Sequence, residues 1–132
     1  MRSILAAATL VAALTSVTAG ASATKLLHTV TLTNKTTKCA WITMYQSTNL
    51  SMGWHIISSA GSQPQWLRAG QTHVFVVNAE QVKARAEIKA NDDCTGATIV
   101  DTYDKRTDIG WNNVPNLNAH IVPSSNGYNL WF

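Results

Sequence analysis

Three of the chain's five tryptophans stand among polar residues: Trp54 beside Gly53 and His55, Trp66 after Gln65, and Trp111 between Gly110 and Asn112-Asn113. A flat apolar ring flanked by amides and an imidazole can serve as a sugar or peptide platform. The ring supplies contact area and its neighbours supply hydrogen bonds. Trp54, Trp66, Trp111, His55, Gln65, Asn112 and Asn113 are therefore the candidate ligand-binding residues. The competing use of such rings is to cap the rim of a core. Trp41 reads differently: it lies in the apolar run Cys39-Ala40-Trp41-Ile42-Thr43-Met44-Tyr45 and is expected inside the core, against a disulfide.

Other chemistry is weakly signalled. Ser58, Ser59, Ser62, Ser124 and Ser125 include no G-x-S-x-G elbow, and His28, His55, His73 and His120 are dispersed. No nucleophile and base are paired by spacing, so no catalytic residue is assigned and no cofactor is implied. Asp101, Asp104 and Asp108 lie close enough in sequence to be oxygen ligands for Ca²⁺, with Asp92-Asp93 nearby. Lys105-Arg106 interrupts them and the EF-hand pattern is absent, so a solvated turn is the preferred reading. Two sequons, Asn34-Lys35-Thr36 and Asn49-Leu50-Ser51, have meaning only in a eukaryotic secretory route.

The two cysteines, Cys39 and Cys94, are expected to form a disulfide closing a loop of 55 residues. Their Cα atoms should then lie about 4.4–6.8 Å apart.

The elements that must position these residues read as strands. His28 to Thr33 alternates, with Val30 and Leu32 on one side. Cys39 to Tyr45 is apolar on both faces, as in a central strand. Trp54 to Ile57, Gln65 to Arg68 and Thr72 to Val77 follow, separated by the turn-rich segments 58–64 and 69–70. Residues 79–90 are ambiguous, since Ala, Lys, Arg and Glu favour helix and Asn78 can cap one. Strict alternation over Val82 to Lys89 decides for a strand, with Val82, Ala84, Ala86 and Ile88 inward. Ala97 to Tyr103, Ala119 to Val122 and Tyr128 to Phe132 complete the set, with 105–118 read as a long loop. About eight short, mostly antiparallel strands indicate an all-β domain, a small sandwich or partly closed barrel. The closing alternation of Tyr128, Leu130 and Phe132 also resembles an outer-membrane barrel, but most strands here are too short and polar to span lipid.

The start of the chain has the parts of an export signal. Arg2 precedes an apolar run from Ile4 to Leu14, and Ala21-Ser22-Ala23 is an acceptable cleavage site. Residues 1–23 are read as a signal peptide and 24–132 as one secreted or periplasmic domain. With 132 residues, 45% hydrophobic and 13% charged, the chain is neither disordered nor low in complexity. Ten basic against seven acidic residues are scattered, so nucleic acid is not indicated as a partner.

Val30 to Trp41, then Ala69-Gly70-Gln71 and the later Cys94, resemble the opening strands of thaumatin-like sandwiches. That family's other cysteines are missing and its acidic cleft has no residue-by-residue counterpart here, so membership is not inferred. The preferred reading is an exported, non-enzymatic binding protein whose partner is an extracellular glycan or cell-surface ligand. One alternative is a membrane-active or effector-type sandwich that inserts tryptophans at a lipid interface. The other is a small secreted hydrolase, for which no motif argues.

Overall fold

Nine strands account for most of the residues that a computed structural model of the chain describes, namely 27–47, 53–109, 116–125 and 127–132. They are β1 (Leu27–Asn34), β2 (Ala40–Ser47), β3 (His55–Ile56), β4 (Gln65–Leu67), β5 (Thr72–Asn78), β6 (Gln81–Lys89), β7 (Thr98–Arg106), β8 (Asn116–Ser124) and β9 (Gly127–Trp131). The segment 1–23 expected to be a signal peptide, the sequon at Asn49 and the candidate residues Trp111, Asn112 and Asn113 lie outside the described residues. Among the described residues no helix is long and apolar enough to cross a membrane.

The strands form two packed sheets and no closed barrel. One sheet has the order β5-β1-β8-β9, the other β3-β2-β6-β7, with β4 in line with β3 along the same edge of β2. All pairings are antiparallel except β1 with β8. Every second residue of the long strands turns inward: Val30 and Leu32, Phe75 and Val77, Leu117, Ala119 and Ile121 from one sheet, Ile42, Met44, Val82, Ala84, Ala86 and Ile88 from the other. Across β2 and β6 a large residue meets a small one, Ile42 against Ala86 and Met44 against Ala84. This lets the sheets approach while the core stays filled.

The segment left ambiguous by propensity is strand β6, and its four apolar residues are fully buried while the intervening charges are not. Burial of a whole face outweighs the modest helix preference of Ala, Lys, Arg and Glu. Two boundaries differ from the sequence reading by three residues, the others by at most two. β7 continues through Asp104-Lys105-Arg106 because β6 offers these residues partners as far as Val82. β8 begins at Asn116, where Leu117 is the first buried residue of an alternation masked by asparagines. The terminal alternation of Tyr128, Leu130 and Phe132 packs against the core rather than facing lipid.

Cys39 and Cys94 are bonded, with Cα atoms 5.0 Å apart. The bridge ties the start of β2 to the β6–β7 loop and contributes about 4 kcal/mol in the chain-entropy model. Cys94 adopts a left-handed backbone, φ 76°. That conformation costs a non-glycine residue about 1 kcal/mol, and here the disulfide and the surrounding turn hold it. Asp93 shapes that turn by accepting hydrogen bonds from Thr95 N (3.1 Å) and Thr95 Oγ1 (2.5 Å), which hold its carboxyl below the ordinary value.

A second tie is polar and buried. Asn34 Nδ2 donates to Lys38 O at 2.8 Å and Leu67 O at 2.9 Å, while Oδ1 accepts from Thr36 N at 3.0 Å and Thr36 Oγ1 at 2.7 Å. Both amide protons are therefore committed, and the residue is fully buried. A glycan on Asn34 is incompatible with this fold, so the first sequon has no use in the folded domain. We expect Asn34→Ala to lower unfolding free energy by about 3 kcal/mol, since it leaves buried groups unpaired. Asn34→Asp should cost at least as much, because it loses two donors and buries a charge. Urea denaturation of both variants beside Thr36→Val, which should lose about 1 kcal/mol, checks the ranking.

Candidate functional site

The outward face of the β3-β2-β6-β7 sheet carries most of the chain's described aromatic surface. Residues of β2, β6 and β7 that turn away from the core line up in rows set by the pairing register. Trp66, Trp41, Glu87 and Asp101 form one row; Thr43, Arg85 and Tyr103 the next; Ile56, Tyr45, Lys83 and Lys105 the third. The first and third rows are separated by four residues of β2, about 13 Å.

The first row holds an aromatic pair. Trp41 and Trp66 face each other across β2 and β4 with ring centroids 4.7 Å apart and planes tilted by 59°. Trp66 is 46% exposed and Trp41 half-buried. The Lys89 ammonium lies 5.8 Å from the Trp66 ring while donating to Thr98 Oγ1. The expected core position of Trp41 is thus corrected. The core side of β2 is filled by Ala40, Ile42 and Met44, and strict alternation sends Trp41 and Tyr45 to the opposite face. None of the described tryptophans (Trp41, Trp54, Trp66, Trp131) belongs to the core, where Phe75 is the largest fully buried side chain.

The third row centres on Lys83. Its ammonium sits 4.5 Å from the Tyr45 ring, 5.5 Å from Trp54 and 5.7 Å from Tyr103. Cation–π attraction to three rings holds the charge over the sheet rather than free in solvent. Tyr45, Lys83, Arg85, Asp101 and Tyr103 line an open cleft of about 340 Å³.

Between the two rows Arg85 grips Asp101 with a bidentate fork, Nε to Oδ1 at 2.9 Å and Nη2 to Oδ2 at 2.6 Å. Glu87 lies at 3.8 Å from the same guanidinium. The hydrogen bonds from Arg85 hold the Asp101 carboxyl below its ordinary value, and those to Asp101 and Tyr45 push the guanidinium further up.

Of the residues singled out by sequence, Trp54 and Trp66 do reach this face, at different rows. His55 does not, because it alternates with Ile56 and shares the side of its partner Gln46. Gln65 turns to the other side of β4 from Trp66, where its amide lies 2.7 Å from His73 Nε2. There it lines a second, polar cleft of about 290 Å³ with Trp66, Gln71, Thr72 and His73. The three aspartates do not converge. Asp101 binds Arg85, Asp104 Oδ2 accepts from Phe132 N at 2.9 Å, and Asp108 pairs with Arg106 at 2.7 Å. No group of three or more His, Cys, Asp or Glu able to hold a metal occurs among the described residues. Trp41, Tyr45, Lys83, Arg85 and Tyr103 were not signalled as site residues. The alternation of β6 already put Lys83 and Arg85 on one outward face, and the same rule applied to β2 would have added Trp41 and Tyr45.

No protein-family model matches the chain, and no curated protein matches it. The partial likeness to thaumatin-like sandwiches therefore carries no functional weight, and the site has to be read from its own chemistry.

Asp101 is about half exposed, so its pairing with Arg85 should be worth no more than about 1 kcal/mol. The sign follows from the lowered carboxyl: the contribution is complete above the unfolded value near 3.9 and disappears as pH falls through the lower folded value. Asp101→Asn should accordingly be slightly less stable than the parent at pH 7, with the difference vanishing in strong acid. Denaturation curves across that range check it.

Proposed function

We propose that this protein is an exported, non-enzymatic binding domain that recognises a glycan of its extracellular or cell-envelope surroundings through the outward face of the β3-β2-β6-β7 sheet. The observation that carries the reading is the Trp41–Trp66 pair, which lies on this outward face instead of in the core. Leaving large apolar rings in contact with water costs free energy that a purely structural design would avoid. Paired aromatic faces flanked by carboxylates, a guanidinium and ammonium groups suit a sugar ring, whose C–H surface stacks while its hydroxyls take hydrogen bonds.

Two aromatic stations about 13 Å apart along β2 favour a chain of sugars over a single residue. The disulfide and the leader at residues 1–23 support export. Insertion of this face into a lipid interface is disfavoured by Glu87 and Asp101, whose carboxylates would enter with the rings. A hydrolytic reading finds no support in the aspartates, each of which is held by a different partner.

Trp66→Ala should weaken polysaccharide binding by about 2 kcal/mol while leaving the fold intact. Trp41→Ala should do the same and cost less stability than the ~3 kcal/mol or more of a large core truncation. Affinity electrophoresis through a panel of polysaccharides, read beside thermal melting, measures both effects. Strong destabilisation by either variant with no change in any binding would make the pair structural and end the proposal.

A further inference from the structure

Charge is unevenly distributed over the proposed binding face. At its centre, Arg85 is shared by two carboxylates, Asp101 and Glu87, so this group of three carries net negative charge, with Lys89 beyond it at the Trp66 end. At the Tyr45 end, Lys83 and Lys105 are paired neighbours in the β6–β7 register. Among the described residues no carboxylate lies within ion-pair distance of either. The Lys83 ammonium touches the faces of Tyr45, Trp54 and Tyr103, which attract its charge but accept no conventional hydrogen bond. An ammonium has three donors to give. This one is held in place at the mouth of an open cleft, so little entropy is lost when it meets an anion.

We infer that the glycan taken by this face is sparsely acidic: a carboxylate-bearing sugar is seated on Lys83 beside Lys105, and neutral sugars run across Arg85, Asp101 and Glu87 to stack on Trp41 and Trp66. The inference rests on the glycan-binding reading of the face. The central carboxylates set the sparseness. They accept hydrogen bonds from neutral hydroxyls, but they repel a chain that carries an anion on every unit. The same repulsion counts against single-stranded nucleic acid, whose phosphates recur at every nucleotide and would meet Asp101 and Glu87. A lipid surface fits worse, because burying two carboxylates carries a desolvation cost that the single Arg85 guanidinium between them offsets only in part.

The test uses the disulfide-bonded secreted protein and three soluble polymers. The first is gellan, which has a uronic acid in each repeat with neutral sugars between; the second is the same polymer with its carboxyls reduced; the third is polygalacturonate, acidic at every sugar. Isothermal titration should show gellan binding that falls roughly tenfold or more on carboxyl reduction, the loss of one charge-assisted hydrogen bond. Polygalacturonate should bind more weakly than gellan. Lys83→Gln should weaken gellan binding to a similar extent, and the remaining affinity should no longer distinguish gellan from its reduced form. Lys83→Arg should retain most of it. Lys35→Gln, which removes the same charge from the exposed β1–β2 loop, should change nothing.

Equal binding of native and reduced gellan, unaffected by Lys83→Gln but lost in Trp66→Ala, would overturn the acidic specificity and leave the glycan reading standing. Tighter binding to polygalacturonate than to gellan would overturn the sparse charge pattern. Failure to bind any of the three polymers, with binding to phosphatidylglycerol vesicles or without it, would overturn this inference. Vesicle binding abolished by Trp66→Ala would remove the glycan reading with it.

Discussion

The buried side chain of Asn34 joins three parts of the chain that share little sequence proximity. Its amide binds carbonyls on either side of the pairing that builds the aromatic site, Lys38 just before β2 and Leu67 at the end of β4. Its main chain bonds the β4–β5 turn from both directions, Asn34 N to Gln71 O and Gly70 N to Asn34 O. With these in place, Ala40 falls opposite Leu67 and Trp41 opposite Trp66. Strand β4 has only three residues and pairs with β2 alone. Such a strand holds its register weakly by itself, because a slip would cost few ladder bonds. A polar group with all its bonds made and no water to replace them is an all-or-none constraint. The disulfide from Cys39 adds a covalent tie at the next residue after Lys38.

That constraint explains how a surface pair of tryptophans can be ordered without being buried. The domain does not need the rings for its core, which is filled by aliphatic residues and Phe75. It needs the backbone beneath them, and the backbone is held from the other side by Asn34, Thr36 and Leu67. Stability and the proposed recognition are therefore separable. Side chains on the inward positions of β2 and β6 set the first, and those on the outward positions are free to serve the second.

Much of the architecture was legible from alternation, and the exceptions have physical causes. In β6 charge marks the outward face, so Val82, Ala84, Ala86 and Ile88 could be assigned inward from sequence. In β2 both faces are apolar or aromatic, and hydrophobicity alone cannot say which side Trp41 occupies. The answer lies in the β2–β6 pairing, where Ile42 and Met44 meet the small residues Ala86 and Ala84 on the core side of the same sheet. Local sequence marks Asn34 only as the start of a sequon. Its partners at Lys38 and Leu67 are set by tertiary structure. Trp54 and Trp66, singled out by their polar neighbours, lie at different rows of the outward face, Trp66 exposed and Trp54 half-buried. That Lys83 would gather Tyr45, Trp54 and Tyr103 depends on register among three strands, a non-local property that no local pattern encodes.

The sheet edges narrow the way a partner can approach. On β5 the outward amide of Val76 is bonded by Ser62 Oγ at 2.8 Å, and that of Asn78 by Gln46 Oε1 at 3.3 Å. On β9 the amides of Leu130 and Phe132 are taken by Thr102 Oγ1 at 3.3 Å and Asp104 Oδ2 at 2.9 Å, across from the other sheet. The free side of β2 is covered by β3 and β4. Side-chain acceptors placed on edge amides remove the template that an added strand would need. A partner that bound these edges by extending a sheet would first have to break those bonds, and would read backbone rather than side chains. With these amides of β5 and β9 engaged, the proposed specificity falls to the outward residues of β2, β4, β6 and β7. There, exposed rings coincide with the ammonium groups of Lys83 and Lys105, which among the described residues have no carboxylate partner.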